Sequence, residues 1–167
     1  MKTIAIQDAN VLIDLVKTGL LAHCLVLDYK FTTTNLILDE LYEQQVIVIQ
    51  PHINSGKFVV IEVSAAELIE IQIAAKEDIK LSDQDWSALY YAQQHNALLI
   101  TGDKRLRNLA ETRGITVCGI FWVLDQLVDT KNLSKAQACD FLKDLFLKNK
   151  RLPMDEYEQR LKSWSSK

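Results

Sequence analysis

The chain has 167 residues, 49% of them hydrophobic, and a formal net charge of −3. That length suits one domain, large enough to bury a core without disulfide or metal staples. The charge argues against general polyanion binding but leaves room for a basic patch beside an acidic site, and no stretch approaches the ~18 apolar residues of a membrane span.

The start, MKTIAIQDANVLIDL, carries one Lys, and Gln7, Asp8 and Asn10 break its apolar run too early for a secretion signal. Thr3 to Gln7 reads as a buried strand, with an amphipathic helix from about Ala9. Tyr29 to Thr34 is a second strand. Asn35 to Gln45 has helical spacing, with Leu38, Leu41 and Tyr42 on one side. Val46 to Gln50 fits a buried helix that gains one more turn and stops at Gly56. Phe58 to Val63 is a strand, and Ser64 caps a helix to about Asp78. Another helix follows Ser82 and ends near Asn96. Ala97 to Thr101 is a strand, followed by a helix that Gly114 stops, and Ile115 to Gly119 is a short strand. From Ile120 the pattern is helical to the end, with a break at Pro153. Strands that are nearly all apolar and alternate with helices predict a parallel sheet covered on both faces, a three-layer α/β/α sandwich. Residues 1–129 form the domain on this reading, and 130–167 a helical extension packed on it or on a partner.

Ligands of such sheets sit beyond the carboxyl ends of the strands. Asp8 follows the first strand there. Glu40 lies in the helix just after the second, and Asp103 follows the strand that ends at Thr101. Asp85 opens the helix that leads back into that strand. Four carboxylates gathered on one edge raise each other's pKa unless a cation compensates. Mg²⁺ and Mn²⁺ take such oxygen ligands, and the chemistry that suits them is hydrolysis of a phosphate ester. Each acid also has a plain reading. Asp8 and Asp103 are placed to cap helices, Asp85 stands three residues after Ser82 as in a capping box, and Glu40 sits among Asp39 and Glu43 as on a solvated face. Asp39 and Asp83 compete with Glu40 and Asp85 for the site.

With these residues in order, the chain resembles the PIN domain family. IQDANVLIDL is similar to the family's opening strand, with its first Asp and an Asn two residues on. TTTNLILDEL is similar to the second piece, and LSDQDWSALYYAQQHNALLITGDKRLRNLAE to the third and fourth together, with Asp85 eighteen residues before Asp103. The end of the chain is similar to the helical extension of one prokaryotic subgroup. The resemblance implies a Mg²⁺- or Mn²⁺-dependent ribonuclease with Asp8, Glu40, Asp85 and Asp103 as catalytic metal ligands. It implies that Asn10, Thr101 and Asp83 support the ligating carboxylates or contact a phosphate. Many small prokaryotic members are toxins of toxin–antitoxin pairs, held by an antitoxin protein and often homodimeric, so a cytoplasmic setting is expected; the odd count of three cysteines fits it. Lys104 and Arg105, beside Asp103, are candidates to hold flanking RNA phosphates. Arg107 is expected on a solvated helix face.

A haloacid-dehalogenase-type phosphatase wants a second Asp where Asn10 stands, and no nucleophile elbow or phosphate-binding glycine loop occurs. The alternative from another class is a catalytically silent PIN-like module that binds RNA or protein. Phe121, Trp122, Phe141, Leu145 and Phe146 would offer such a module an apolar surface, unless they pack the chain's own core.

Overall fold

The computed structural model describes residues 1–166, which form five strands and ten helices. Strand β1 (Thr3–Gln7) pairs in parallel with β2 (Tyr29–Thr34) on one side and β4 (Leu98–Ile100) on the other. β3 (Val59–Ile61) and β5 (Val117–Cys118) close the two edges, giving the order β3-β2-β1-β4-β5. All four pairings are parallel, as buried apolar strands separated by helices require.

Successive side chains of a strand point to opposite faces, so each strand feeds two cores. Ala5, Phe31, Leu98 and Ile100 face one layer, built from α1 (Ala9–Thr18), α2 (Leu21–Cys24), α4 (Glu43–Asn54), α8 (Ile120–Asp129) and α9 (Lys135–Lys148). Ile6 and Leu99 face the other, built from α5 (Ala65–Ala75), α6 (Asp83–Gln94) and α7 (Lys104–Thr112). The chain is therefore a three-layer α/β/α sandwich. No helix among the described residues is long and apolar enough to cross a membrane.

Four expectations are corrected. The single helix expected over Asn35 to Gln45 is broken: α3 spans only Asn35–Leu38, and Asp39 and Glu40 form a turn. Tyr42 is extended there, and the Gln45 side chain accepts its N–H at 3.0 Å, which starts α4 afresh. Glu40 thus lies in a turn and not in a helix. The helix from Ser64 stops at Ala75, short of Asp78, and β3 is shorter than Phe58 to Val63. The helical tail breaks first at Thr130 to Ser134, where Lys131 takes a left-handed φ of 60° and Ser134 caps α9. It breaks again before α10 (Met154–Ser165).

The tail is part of the core. Leu133, Leu142 and Leu145 are buried with residues of α1 and α8, and Phe146 stacks on Tyr157 of α10 at 4.2 Å. Phe121 is buried, and Trp122 and Phe141 pack against the same core, so these aromatics serve the chain's own interior. Leu142→Ala should therefore cost about 2–5 kcal/mol of stability, as core Leu truncations do. Urea denaturation checks this, and an unchanged midpoint would mean that α9 is a detachable appendage.

Candidate metal-binding active site

The carboxyl ends of β1 and β4 place the central residues. Asp8, one residue past β1, donates its N–H to the Ile100 carbonyl at 3.1 Å. Its extended backbone makes it the N-cap of α1, and Oδ1 accepts the Val11 N–H at 2.9 Å. Oδ2 accepts a hydrogen bond from the Thr101 hydroxyl. Asp8 is 1% exposed. Burial raises its pKa from 3.8 to about 7, against the two hydrogen bonds, and the charges of Asp85 and Asp103 push the same way.

Thr101 ties two of the acids together. Its hydroxyl donates to Asp8 and accepts the Asp103 N–H at 3.0 Å, while its own N–H goes to the Cys118 carbonyl at 2.9 Å. Asp103 caps α7, with Oδ1 accepting the Leu106 N–H at 2.7 Å. Asp85 sits in the first turn of α6, where its Oδ2 accepts the N–H (3.2 Å) and the hydroxyl (2.9 Å) of Ser82. Asp83, two residues earlier, is exposed, as is Asp39. Glu40 is exposed in its turn, yet partial burial and the charge of Asp85 raise its pKa. The field of Asp85 thus reaches both Asp8 and Glu40.

A hydroxyl pair absent from the sequence reading explains this proximity. Ser87 donates to the Gln84 carbonyl at 2.7 Å, so the 2.8 Å contact between Thr34 and Ser87 has Thr34 as donor. Both are fully buried, and they clamp the end of β2 to the first turns of α6. The available signal was a Ser set among the apolar residues of WSALYYA. Asn10 is exposed and, among the described residues, makes no hydrogen bond to the four acids. Lys104 is exposed at the start of α7, and Arg105 donates Nε to Asp78 at 2.6 Å. Arg107 departs from the expected solvated face. It is half-buried, and its guanidinium reaches the carbonyls of Thr101 (3.3 Å) and Val117 (3.5 Å).

The donor chemistry fits a hard divalent cation: every candidate ligand is a carboxylate oxygen. Oδ1 of Asp85, Oδ2 of Asp103 and both Glu40 oxygens accept no hydrogen bond from the described residues. In the side-chain positions of this structure, however, no three His, Cys, Asp or Glu side chains among the described residues converge closely enough to hold one ion.

A family profile for DUF3368, described as a PIN domain, matches residues 4–166. The chain belongs to the PIN domain family. The match continues through α8, α9 and α10, so the helices after residue 129 lie inside it. PIN domains are generally nucleases that use divalent metal ions. Among solved structures the chain is similar to a PilT N-terminus domain protein from the archaeon Sulfolobus solfataricus. The two are 19% identical, with a TM-score of 0.41, over 73% of this chain and 91% of that one. No curated protein matches the chain.

Proposed function

We propose that this PIN domain is a Mg²⁺- or Mn²⁺-dependent endoribonuclease whose ions are held by Asp8, Glu40, Asp85 and Asp103. One observation carries the reading. Carboxylates from four separate segments stand at the carboxyl edge of a parallel sheet: Asp8, buried deeply enough to favour its acid form, lies in the field of Asp85 and Asp103, and Glu40 in that of Asp85. Such repulsion is maintained in a fold when a cation offsets it. A bound divalent ion would supply Lewis-acid stabilisation of charge on the phosphate and lower the pKa of a water. The chain's own residues do the rest. Val11 and Thr101 fix both oxygens of Asp8, Thr101 holds the backbone of Asp103, and Ser82 orients Asp85. Lys104, exposed beside Asp103, is placed to pair with a flanking phosphate. Asn10 and Asp83 line the same helix starts, available to substrate or hydrated ion.

The proposal extends to a cytoplasmic toxin of a type II toxin–antitoxin pair, restrained by an antitoxin protein and acting as a homodimer; family membership supports it. A second reading is a catalytically silent module that binds RNA or protein. Its supporting observation is that Asp8, Asp85 and Asp103 already have structural work as helix caps. Incubation of the purified chain with total cellular RNA separates the two. The nuclease gives discrete new 5′ ends with Mn²⁺ or Mg²⁺ and none with chelator. Intact RNA under all conditions, from a chain that also binds no Mn²⁺, supports the silent module.

A further inference from the structure

Two acids of the site sit on neighbouring helix starts, Asp85 on α6 and Asp103 on α7, and something must set the distance between them. The segment before α6 does this through Asp78, seven residues before Asp85 and twenty-five before Asp103. The Asp78 carbonyl accepts the Leu81 N–H and the indole N–H of Trp86, each at 3.2 Å. Trp86 is the residue after Asp85 and is almost fully buried. The Asp78 carboxylate turns the other way. Oδ1 accepts the Lys80 N–H at 3.1 Å, and Oδ2 pairs with Arg105 Nε at 2.6 Å. Arg105 is two residues after Asp103. Its hydrogen bond holds the Asp78 carboxyl below its ordinary range. The Asp78 side chain is 17% exposed, against 49% for Arg105, so the carboxylate is largely covered and is the partner that suffers most if left unpaired.

A second pair repeats the arrangement at the far end of α7. Arg113 pairs with Glu77, donates to Gln93 at 3.2 Å, and lays its guanidinium over the Trp86 ring at 5.2 Å. Two arginines of one helix thus grip two successive acids of the loop, with Trp86 between them.

We propose that Arg105 and Asp78 form a brace that sets the spacing of Asp103 and Asp85, so that Arg105 is a positioning residue and not a phosphate grip. The proposal rests on the metal-dependent reading of these two acids. An arginine reserved for RNA needs no covered carboxylate opposite it, and Asp78 would compete with the phosphate for the same charge. As an outer partner of the ligand set, the brace should govern metal affinity by about tenfold or more.

The test is a double-mutant cycle on the full chain with Arg105→Ala, Asp78→Ala and both together. Three quantities are read: Mn²⁺ affinity by electron paramagnetic resonance, RNA affinity in chelator, and hydrogen exchange at Asp85–Trp86 and Asp103–Leu106. The brace predicts that each single substitution weakens Mn²⁺ binding about tenfold, and that the double is no worse than either. It further predicts faster exchange in the α6 start when Arg105 alone is changed, with RNA affinity in chelator unchanged. Weaker RNA binding in Arg105→Ala, with Asp78→Ala unaffected or tighter and Mn²⁺ affinity intact, would overturn it. A parent protein that binds no Mn²⁺ removes the nuclease reading instead. Exchange then decides the brace alone, and an α6 start indifferent to Arg105→Ala sinks it.

Discussion

Asp8→Asn should abolish metal-dependent RNA cleavage, by about three orders of magnitude or more, and yet melt at a higher temperature than its parent in chelator at pH 8. The first effect follows from removing a ligand whose cation contributes several kcal/mol to the transition state. The second follows from linkage. Asp8 titrates at about 7 in the folded chain against an ordinary 3.8. Between those values the folded protein holds a proton that the unfolded chain has released. The stability tied to that proton is full below about pH 4, falls as pH rises, and is gone above about pH 7. The span corresponds to about 4 kcal/mol as an upper bound. Asn keeps an oxygen for the Val11 N–H and carries no charge to bury, so it escapes the loss. Melting curves in chelator at pH 5 and pH 8 check this: the variant's gain on the parent is larger at the higher pH. A difference that is the same at both would mean that Asp8 is ionised throughout, and the site would then lack its central repulsion. Adding Mn²⁺ should remove the parent's pH slope, because a bound cation holds Asp8 ionised.

Thr101→Val should lower cleavage about 10- to 100-fold and shift its pH profile upward. The valine has nearly the shape of threonine but strands the buried Oδ2 of Asp8 and the half-buried N–H of Asp103. Leaving them unpaired should cost about 2 kcal/mol. The hydroxyl also restrains the pKa of Asp8, so its loss moves that carboxyl further from its ionised form. Thr101→Ser keeps the donor and should keep the profile. The pair of variants separates positioning from packing. A Val variant with unchanged activity and an unshifted pH profile would mean that Thr101 merely fills space.

Local chemistry made much of this legible in the sequence. Asp8, Ser64, Ser82 and Asp103 stand where a short polar residue precedes a helical pattern, and all four cap helices; Ser134 caps one inside a stretch that reads as continuous helix. The parallel sheet was readable because its strands are apolar on both faces. What was not readable came from partners remote in sequence. The turn at Asp39 and Glu40 interrupts a segment whose helical spacing continues through it, because Leu41 is buried in the α1 layer while Tyr42 turns outward. Arg105 looked like a free cation because Asp78 lies 27 positions away. Thr101 reaches Asp8 across 93 positions, and Ser87 reaches Thr34 across 53, and no local pattern announces either. The acids themselves were visible, and the resemblance implied a supporting role for Thr101; its contact with Asp8, the Ser87–Thr34 contact and the ion pair of Arg105 were not.

The most direct test of the central claim is an anomalous-scattering map of crystals of the full chain grown with Mn²⁺. The account predicts a peak at the carboxyl edge of the sheet, ligated by Asp8 and at least two of Glu40, Asp85 and Asp103. A fully ordered edge without a peak there, or with Mn²⁺ bound only elsewhere, would contradict it.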